Sequence, residues 1–530
     1  MNRIFKRVLS LILSLVLAFS AVSVSFASEP EKGIPLVYVG GQGAQLVIDE
    51  PDGSKRSIYP ITLPDGFIEN TVKENIGVFA KAVVTQQWDE FCDVIYNICS
   101  DLYSELKLDE NGKPINNSRT DWNWKVHGLY GERLSGRYNS RKYEFYYDWR
   151  LDPYETAETL HDYIEYVIKT TGSEKVALSG RCLGACIVAA YMEKYNGEYI
   201  SDLILYASAL NGATQCSKAF CGELYLDPDG IERYIYDLNI SADKNINDLI
   251  RAFVSLYNDT YGLDVACWSV NNVYPKIYMN IVPRLLMDTF GTFPGYWSMV
   301  SQKDYLKAKK TVFHGADMDK YANFIKIIDR YHYQVQYKAK KNFKNYVNNG
   351  IEIANIVKYG YQTIPITEDT DILSDDICDV RSASMGAITA PVSDELNPIY
   401  LKRAAETGMN RFISPDNKID ASACLFPERT WFIKNLEHKN FPTIIDSLFN
   451  EIINNDNYTV FTDENYPQYL VYNKTDSEET LLPMCEENKA TDEKYNVSFF
   501  EALSTFVKSL YSIFKNRFAD LTVKNTGGMI

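Results

Sequence analysis

The sequence predicts an α/β protein, with a mostly parallel central sheet covered by helices and a helical lid or cap insertion in mid-chain. Three observations lead there. Short apolar runs alternate with amphipathic helical segments, a glycine-flanked turn joins one such run directly to a helix, and a long central stretch breaks the alternation.

The N-terminus comes first. Arg3, Lys6 and Arg7 precede an uncharged apolar run from Val8 to Phe19, and Ser25 and Ala27 stand where a signal peptidase reads, with polar Ser28-Glu29-Pro30 following. These features predict a signal peptide over 1–27 and a secreted, extracellular or cell-surface protein. No later stretch reaches about 18 uncharged apolar residues, so no integral membrane segment is expected after cleavage. A formal charge of −16 at pH 7 repels phosphate backbones and argues against nucleic acid as a partner. The ten cysteines permit disulfides, with Cys216–Cys221 and Cys92–Cys99 as local candidates, but a chain of this length does not depend on them. No group of His and Cys has the local spacing of a zinc site, so neither metal nor cofactor is expected.

Ile34 to Val39 reads as a buried strand stopped by Gly40-Gly41-Gln42-Gly43. Residues 67–108 read as largely helical and 109–122 as loop. Tyr143 to Trp149 is short and aromatic, as a central strand would be. From Pro153 to Thr170, Ala157, Leu160, Ile164, Val167 and Ile168 recur at steps of three and four, the signature of an amphipathic helix. Strand 175–180, helix 183–194 and strand 201–207 follow. The rhythm then fails over 208–345 and returns with strands at 351–360 and 430–434. The expected organisation is a core in two parts, 28–207 and 346–455, a lid or cap insertion over 208–345, and a C-terminal extension over 456–530 ending in a helix near 499–518.

The sharpest local signal is Gly180-Arg181-Cys182-Leu183-Gly184, between strand and helix. A turn this tight needs glycine two residues before and after its centre, because a Cβ there would strike the neighbouring strand and helix. It thrusts the central side chain up at a helix N-terminus, where amide N–H groups favour an anion. The turn resembles the nucleophile turn of an α/β-hydrolase fold, with cysteine in place of serine. A helix N-terminus lowers a thiol pKa, and a thiolate attacks acyl carbonyls readily. Cys186, one turn on, reads as core packing, although a disulfide to Cys182 would silence the site.

A thiol nucleophile profits from a base, and the base from an orienting carboxylate. The chain holds five histidines. His438, just past the strand at 430–434, fits the order nucleophile, acid, histidine; His314 is the runner-up. Asp416 in Ser414-Pro415-Asp416-Asn417 is the first choice of acid, with Asp420 in reserve. The backbone of Leu183 and of Gln42 would receive the oxyanion. Arg181, Trp149 and the lid aromatics Phe293, Tyr296 and Trp297 are expected to bind substrate.

Several segments together resemble the lecithin:cholesterol acyltransferase and lysosomal phospholipase A2 family of α/β-hydrolases. Ile34 to Leu46, ending Gly43-Ala44-Gln45-Leu46, resembles its first strand and oxyanion loop, Tyr147-Asp148-Trp149-Arg150 its Tyr-Asp-Trp-Arg segment, and Gly180 to Gly184 its Gly-x-Ser-x-Gly. Ser201 to Gly212 resembles the following strand and turn, and Lys358-Tyr359-Gly360 with Thr363-Ile364-Pro365 a Tyr-Gly…Pro loop. Pro415-Asp416-Asn417-Lys418-Ile419 looks like its Gly-Asp-Gly-Thr-Val, and His438 stands for its histidine. The likeness spans roughly 34–440 and implies cleavage or transfer of acyl groups from lipid-like esters. Cysteine for serine widens this to thioesters, amides and lactones, and Asn417 replaces a glycine. The competing reading is an inactive surface or ligand-binding protein on the same fold.

Overall fold

The computed structural model describes residues 34–509 and Ser512, apart from 65, 129–130, 134–140, 239–242, 369, 476–477, 490–497, 499 and 510–511. The expected signal peptide lies outside the described residues, as do 499, 510–511 and 513–518 of the expected terminal helix, of which 500–509 are helical.

A nine-stranded sheet organises the fold. In chain order its strands are β1 (Leu36–Val39), β2 (Gly131–Arg133), β3 (Arg141–Phe145), β4 (Val176–Arg181), β5 (Ile200–Tyr206), β6 (Glu352–Tyr359), β7 (Thr430–Lys434), β8 (Tyr469–Lys474) and β9 (Glu479–Pro483). They lie side by side as β9-β8-β7-β6-β5-β4-β1-β3-β2. From β8 to β3 neighbours run parallel, and each edge is closed by an antiparallel strand. The inner strands are largely buried because a parallel sheet is covered on both faces: every residue of β1 and β7 is buried. Two of the strands come from beyond residue 455, so part of the C-terminal extension completes the main sheet.

Helix α3 (Pro153–Thr171) follows two shorter-spaced helices, α1 (Phe67–Thr85) and α2 (Asp89–Leu102). It starts at Asp152, whose side chain accepts from the Tyr154 N–H, and stops at Gly172 in the left-handed region. Ala157, Leu160, Ile164 and Val167 form its buried stripe, as their spacing predicts. Helix α4 (Leu183–Tyr195) is buried from Leu183 through Met192 and lacks a polar face over that stretch, consistent with a position inside the fold. Between β5 and β6 the described residues form only helices and loops, including α5 (Lys244–Asp259) and the long α6 (Gly262–Asp288). No helix among the described residues is long and apolar enough to cross a membrane.

The aromatic run at 143–149 is strand only as far as Phe145. Beyond it Asp148 folds back on Arg150, taking Nε at 2.9 Å and Nη2 at 2.6 Å, while the same guanidinium donates to Leu106 O and Ser118 Oγ, each at 2.9 Å. This buried fastener needs a bend where a strand would need extension.

One buried acid works against stability. Asp202 on β5 sits opposite Glu352 on β6, and burial, with Glu352 adding to it, pushes its carboxyl up to about 7. The unfolded chain loses this proton near pH 4 while the folded one keeps it, so stability falls as pH rises from about 4 to 7. Asp202→Asn is expected to stabilise the protein by about 2 kcal/mol at pH 8 and negligibly at pH 4, measured by urea unfolding at the two values.

Candidate functional site

Cys182, Gly40 to Gly43 and His438 all follow the C-terminal ends of parallel strands, where ligand sites of such sheets form. Cys182 is the residue between β4 and α4, at φ 53° and ψ −123°. A non-glycine residue holds that conformation only when its surroundings enforce it. Here they do. A Cβ on Gly180 would lie 2.6 Å from the Ala185 Cα, and one on Gly184 would lie 2.2 Å from Val39 O and 2.4 Å from Gly40 O. Both contacts are with backbone, which cannot step aside. Gly184→Ala is therefore expected to cost about 3 kcal/mol or more, or to prevent folding, read from denaturation midpoints or soluble yield.

His438 reaches the turn from the loop after β7. Its Nδ1 lies 2.8 Å from Asp375 Oδ2, and its backbone N–H donates to Asp375 O at 2.7 Å. Asp375 is fully buried; its Oδ1 accepts from the Cys378 and Ile377 N–H groups at 2.6 and 3.2 Å. Burial opposes the Asp375 charge, yet His438, Lys358 and the Cys378 N–H outweigh it and hold the carboxyl below its ordinary range. On the other side of the imidazole is Cys182. A hydrogen bond from the Cys378 thiol is the largest influence on Cys182, followed by burial in the opposite sense and then by His438 and Arg181, and together they hold its thiol well below the ordinary value. Burial disfavours the His438 cation, but Asp375 and Cys182 lift it to about 10. Both shifts favour the thiolate–imidazolium form of the pair, and the Asp375 carboxylate on Nδ1 fixes the ring.

The structure does not bring the sequence-predicted acids here. Asp416 Oδ2 is taken by Lys434 Nζ at 2.9 Å and Tyr359 Oη at 3.1 Å, tying β6 to β7 beneath the site. Asp420 caps a short 3-10 turn through the Ser422 N–H at 2.8 Å and accepts from Tyr400 Oη. The acid missed from sequence is in Ser374-Asp375-Asp376-Ile377, a polar turn between the short strand Leu373–Ser374 and the helical turn Val380–Ala383. That turn was its signal. His314 is exposed at the end of the helix Tyr305–Val312.

Two cations brace the histidine loop. Arg181 Nη2 donates to His438 O. Lys358 Nζ donates to the carbonyls of Glu437, His438 and Asn440 at 2.8, 2.9 and 2.7 Å. Burial pulls Lys358 down to about 7 against the pull of Asp375, but three acceptors for three protons is the geometry of the ammonium form. Lys358→Met would strand those carbonyls, and is expected to cost about 3 kcal/mol or more in guanidinium unfolding.

Cys182 opens into a cavity of about 610 Å³ whose lining includes Gly40 to Gly43, Leu183, Met299, Ile377, Phe145 and Phe441. Leu183 is the first residue of α4, where amide N–H groups lack intrahelical acceptors, and it faces the cavity together with Gln42. Leu183 and Gln42, the expected oxyanion donors, thus line the same cavity as Cys182. Gly41 presses on it: a Cβ there would be 3.0 Å from the Cys182 Cβ. Tyr147 Oη at 2.8 Å to Gly40 O holds this loop in place. Arg181 lines the cavity, but the expected aromatics do not. Trp149 stacks on Tyr296 at 5.3 Å and meets Phe293 edge-on at 6.0 Å, and Trp297 packs against Phe220 at 4.8 Å. They form the core between sheet and insertion.

All ten cysteines are free thiols. Cys186 is buried against Ser298 O, and burial pushes its thiol up to about 12, as suits core packing. Cys216 and Cys221 turn to different carbonyls, those of Tyr296 and Asp304.

No family model matches this chain, and no curated protein does. Among solved structures, a chain of the Tle4-Tli4 complex aligns at 14% identity with a TM-score of 0.19, over 35% of this chain and 48% of that one. This chain thus spans about half the length of that neighbour, and the likeness is too slight to bear on activity.

Proposed function

We propose that this protein is an extracellular acyl hydrolase or acyltransferase of the α/β-hydrolase type, working through a Cys182–His438–Asp375 triad. The observation that carries the reading is the continuous line from the buried Asp375 carboxylate through His438 to a cysteine held on a strained turn at a helix N-terminus. In the first step Cys182 Sγ adds to an acyl carbonyl carbon, and the oxygen gains charge facing the amides of Leu183 and Gln42. The tetrahedral adduct collapses as His438 gives its Nε2 proton to the departing alkoxide, thiolate or amine, leaving an acyl thioester on Cys182. Neutral His438 then takes a proton from water or an acceptor alcohol, which adds to the thioester and expels the thiolate. The cavity has an apolar wall beside Cys182, with Met299, Ile377 and Phe145, and a size usual for small-molecule sites, which favours an apolar acyl group.

The test is a panel of acyl esters, thioesters and amides of varied chain length, each quenched early and followed by intact mass and peptide mapping. The expected result is one acyl adduct per chain, on Cys182, that decays at the rate of turnover. Turnover with no adduct there at any time, or no turnover across the panel, would overturn the reading.

A further inference from the structure

Cys378 has no part in the acyl-transfer steps, yet its sulfur lies beside the nucleophile. Among the described residues, Cys182 Sγ, Cys378 Sγ and a ring nitrogen of His438 all lie within 4.8 Å of one another. Since Asp375 occupies Nδ1, Nε2 is the nitrogen left to face the sulfurs. We propose that Cys182, Cys378 and His438 form a binding site for Zn²⁺ that reversibly masks the nucleophile.

Four features support this. Two sulfurs and one imidazole are a donor set zinc takes readily, whereas magnesium and calcium seek oxygen. Tetrahedral zinc with Zn–S of about 2.3 Å and Zn–N of about 2.1 Å asks for ligand separations of about 3.5–3.8 Å, within reach of these side chains by small rotations. A carboxylate on the far nitrogen of a metal-bound histidine fixes its tautomer and raises its basicity, which is the place Asp375 holds. Asp375 also accepts from the Cys378 N–H, so one turn supplies both a ligand and the carboxylate behind another. Finally, the cavity beside Cys182 leaves a fourth position for water.

Sequence spacing could not reveal this group, because its members come from three separated turns. Binding displaces to solvent whatever protons the two thiols and His438 Nε2 carry, and leaves two thiolates and a neutral imidazole around the dication. The Cys182 sulfur that would attack a carbonyl and the nitrogen that would move protons are then both engaged. The masking consequence rests on the thiol-nucleophile reading; the site itself does not.

The full mature chain, treated with chelator and desalted, is titrated with Zn²⁺ and separately with Co²⁺. One equivalent should bind, and the Co²⁺ form should show thiolate charge-transfer absorption with the intense visible bands of a tetrahedral ion. Zn²⁺ should slow alkylation of Cys182 at least tenfold, and chelator should restore it. Cys378→Ser should weaken Zn²⁺ binding at least tenfold and abolish the cobalt signature, while Cys485→Ser, at an exposed thiol, should change neither. Absence of stoichiometric binding, weak octahedral cobalt bands, unchanged affinity in Cys378→Ser, or faster turnover with Zn²⁺ would each overturn the proposal. A chain that binds Zn²⁺ through these residues but processes no acyl substrate keeps the site and loses the hydrolase reading. A chain that turns over and binds no zinc does the reverse.

Discussion

Cys182→Ala is expected to reduce acyl turnover to background, a loss on the order of 10⁴-fold or more in kcat/KM, because removing a nucleophile that acts as one unit with its base disables the whole unit. Cys182→Ser is expected to fall short of wild type by about 10²–10⁴-fold. The reason lies in the surroundings. Cys378, His438 and Arg181 are arranged to hold an anion at position 182, and a thiol ionises under that influence where a hydroxyl does not. Iodoacetamide should correspondingly mark Cys182 ahead of the other buried thiols. Burial pushes Cys221 up to about 11 and Cys186 and Cys424 up to about 12, and it raises Cys216 as well. Serine turnover equal to that of the wild type, or alkylation of Cys182 no faster than of Cys186, would remove the sulfur from the mechanism.

Much of this arrangement is legible in the sequence where a local constraint dictates it. Gly180 and Gly184 announce the turn because their spacing is written in five consecutive residues, although the backbone that enforces it at Gly184 is that of Val39 and Gly40. His438 is found because histidine is scarce and the strand before it is apolar and short. The acid is different. Seventy aspartates and glutamates stand in the chain, and which one meets His438 depends on how a loop 63 residues away closes over the sheet. Asp416 stands in a similar polar turn, but Lys434 on β7 captures its carboxylate first. The substrate aromatics fail for a related reason. Aromatic content predicts burial, and Trp149, Phe293 and Trp297 are indeed buried, but Trp149 against Phe293 and Trp297 against Phe220, and none of them lines the cavity beside Cys182. Lys358 and Cys378 carry no local pattern at all; each acts only across strands brought together by folding.

The second large effect separates the two candidate acids. Asp375→Asn is expected to lower kcat/KM by about 10²–10⁴-fold with the protein still folded, because the amide cannot stabilise the imidazolium and can present its NH₂ group to Nδ1, favouring the wrong tautomer. Asp416→Asn is expected to act on stability instead. Its loss leaves Lys434 buried beside a neutral amide, at a cost of about 3 kcal/mol, while activity per folded molecule stays within a few-fold of wild type. Kinetics normalised to active-site titre, paired with urea unfolding of both variants, distinguishes the roles. The opposite pattern, with Asp416→Asn slow and Asp375→Asn merely unstable, would mean that the 2.8 Å contact between His438 and Asp375 is not the one that orients the base. Because the two carboxylates sit on different loops and hold different partners, the double variant should show both defects at their separate sizes, a slow enzyme that is also less stable.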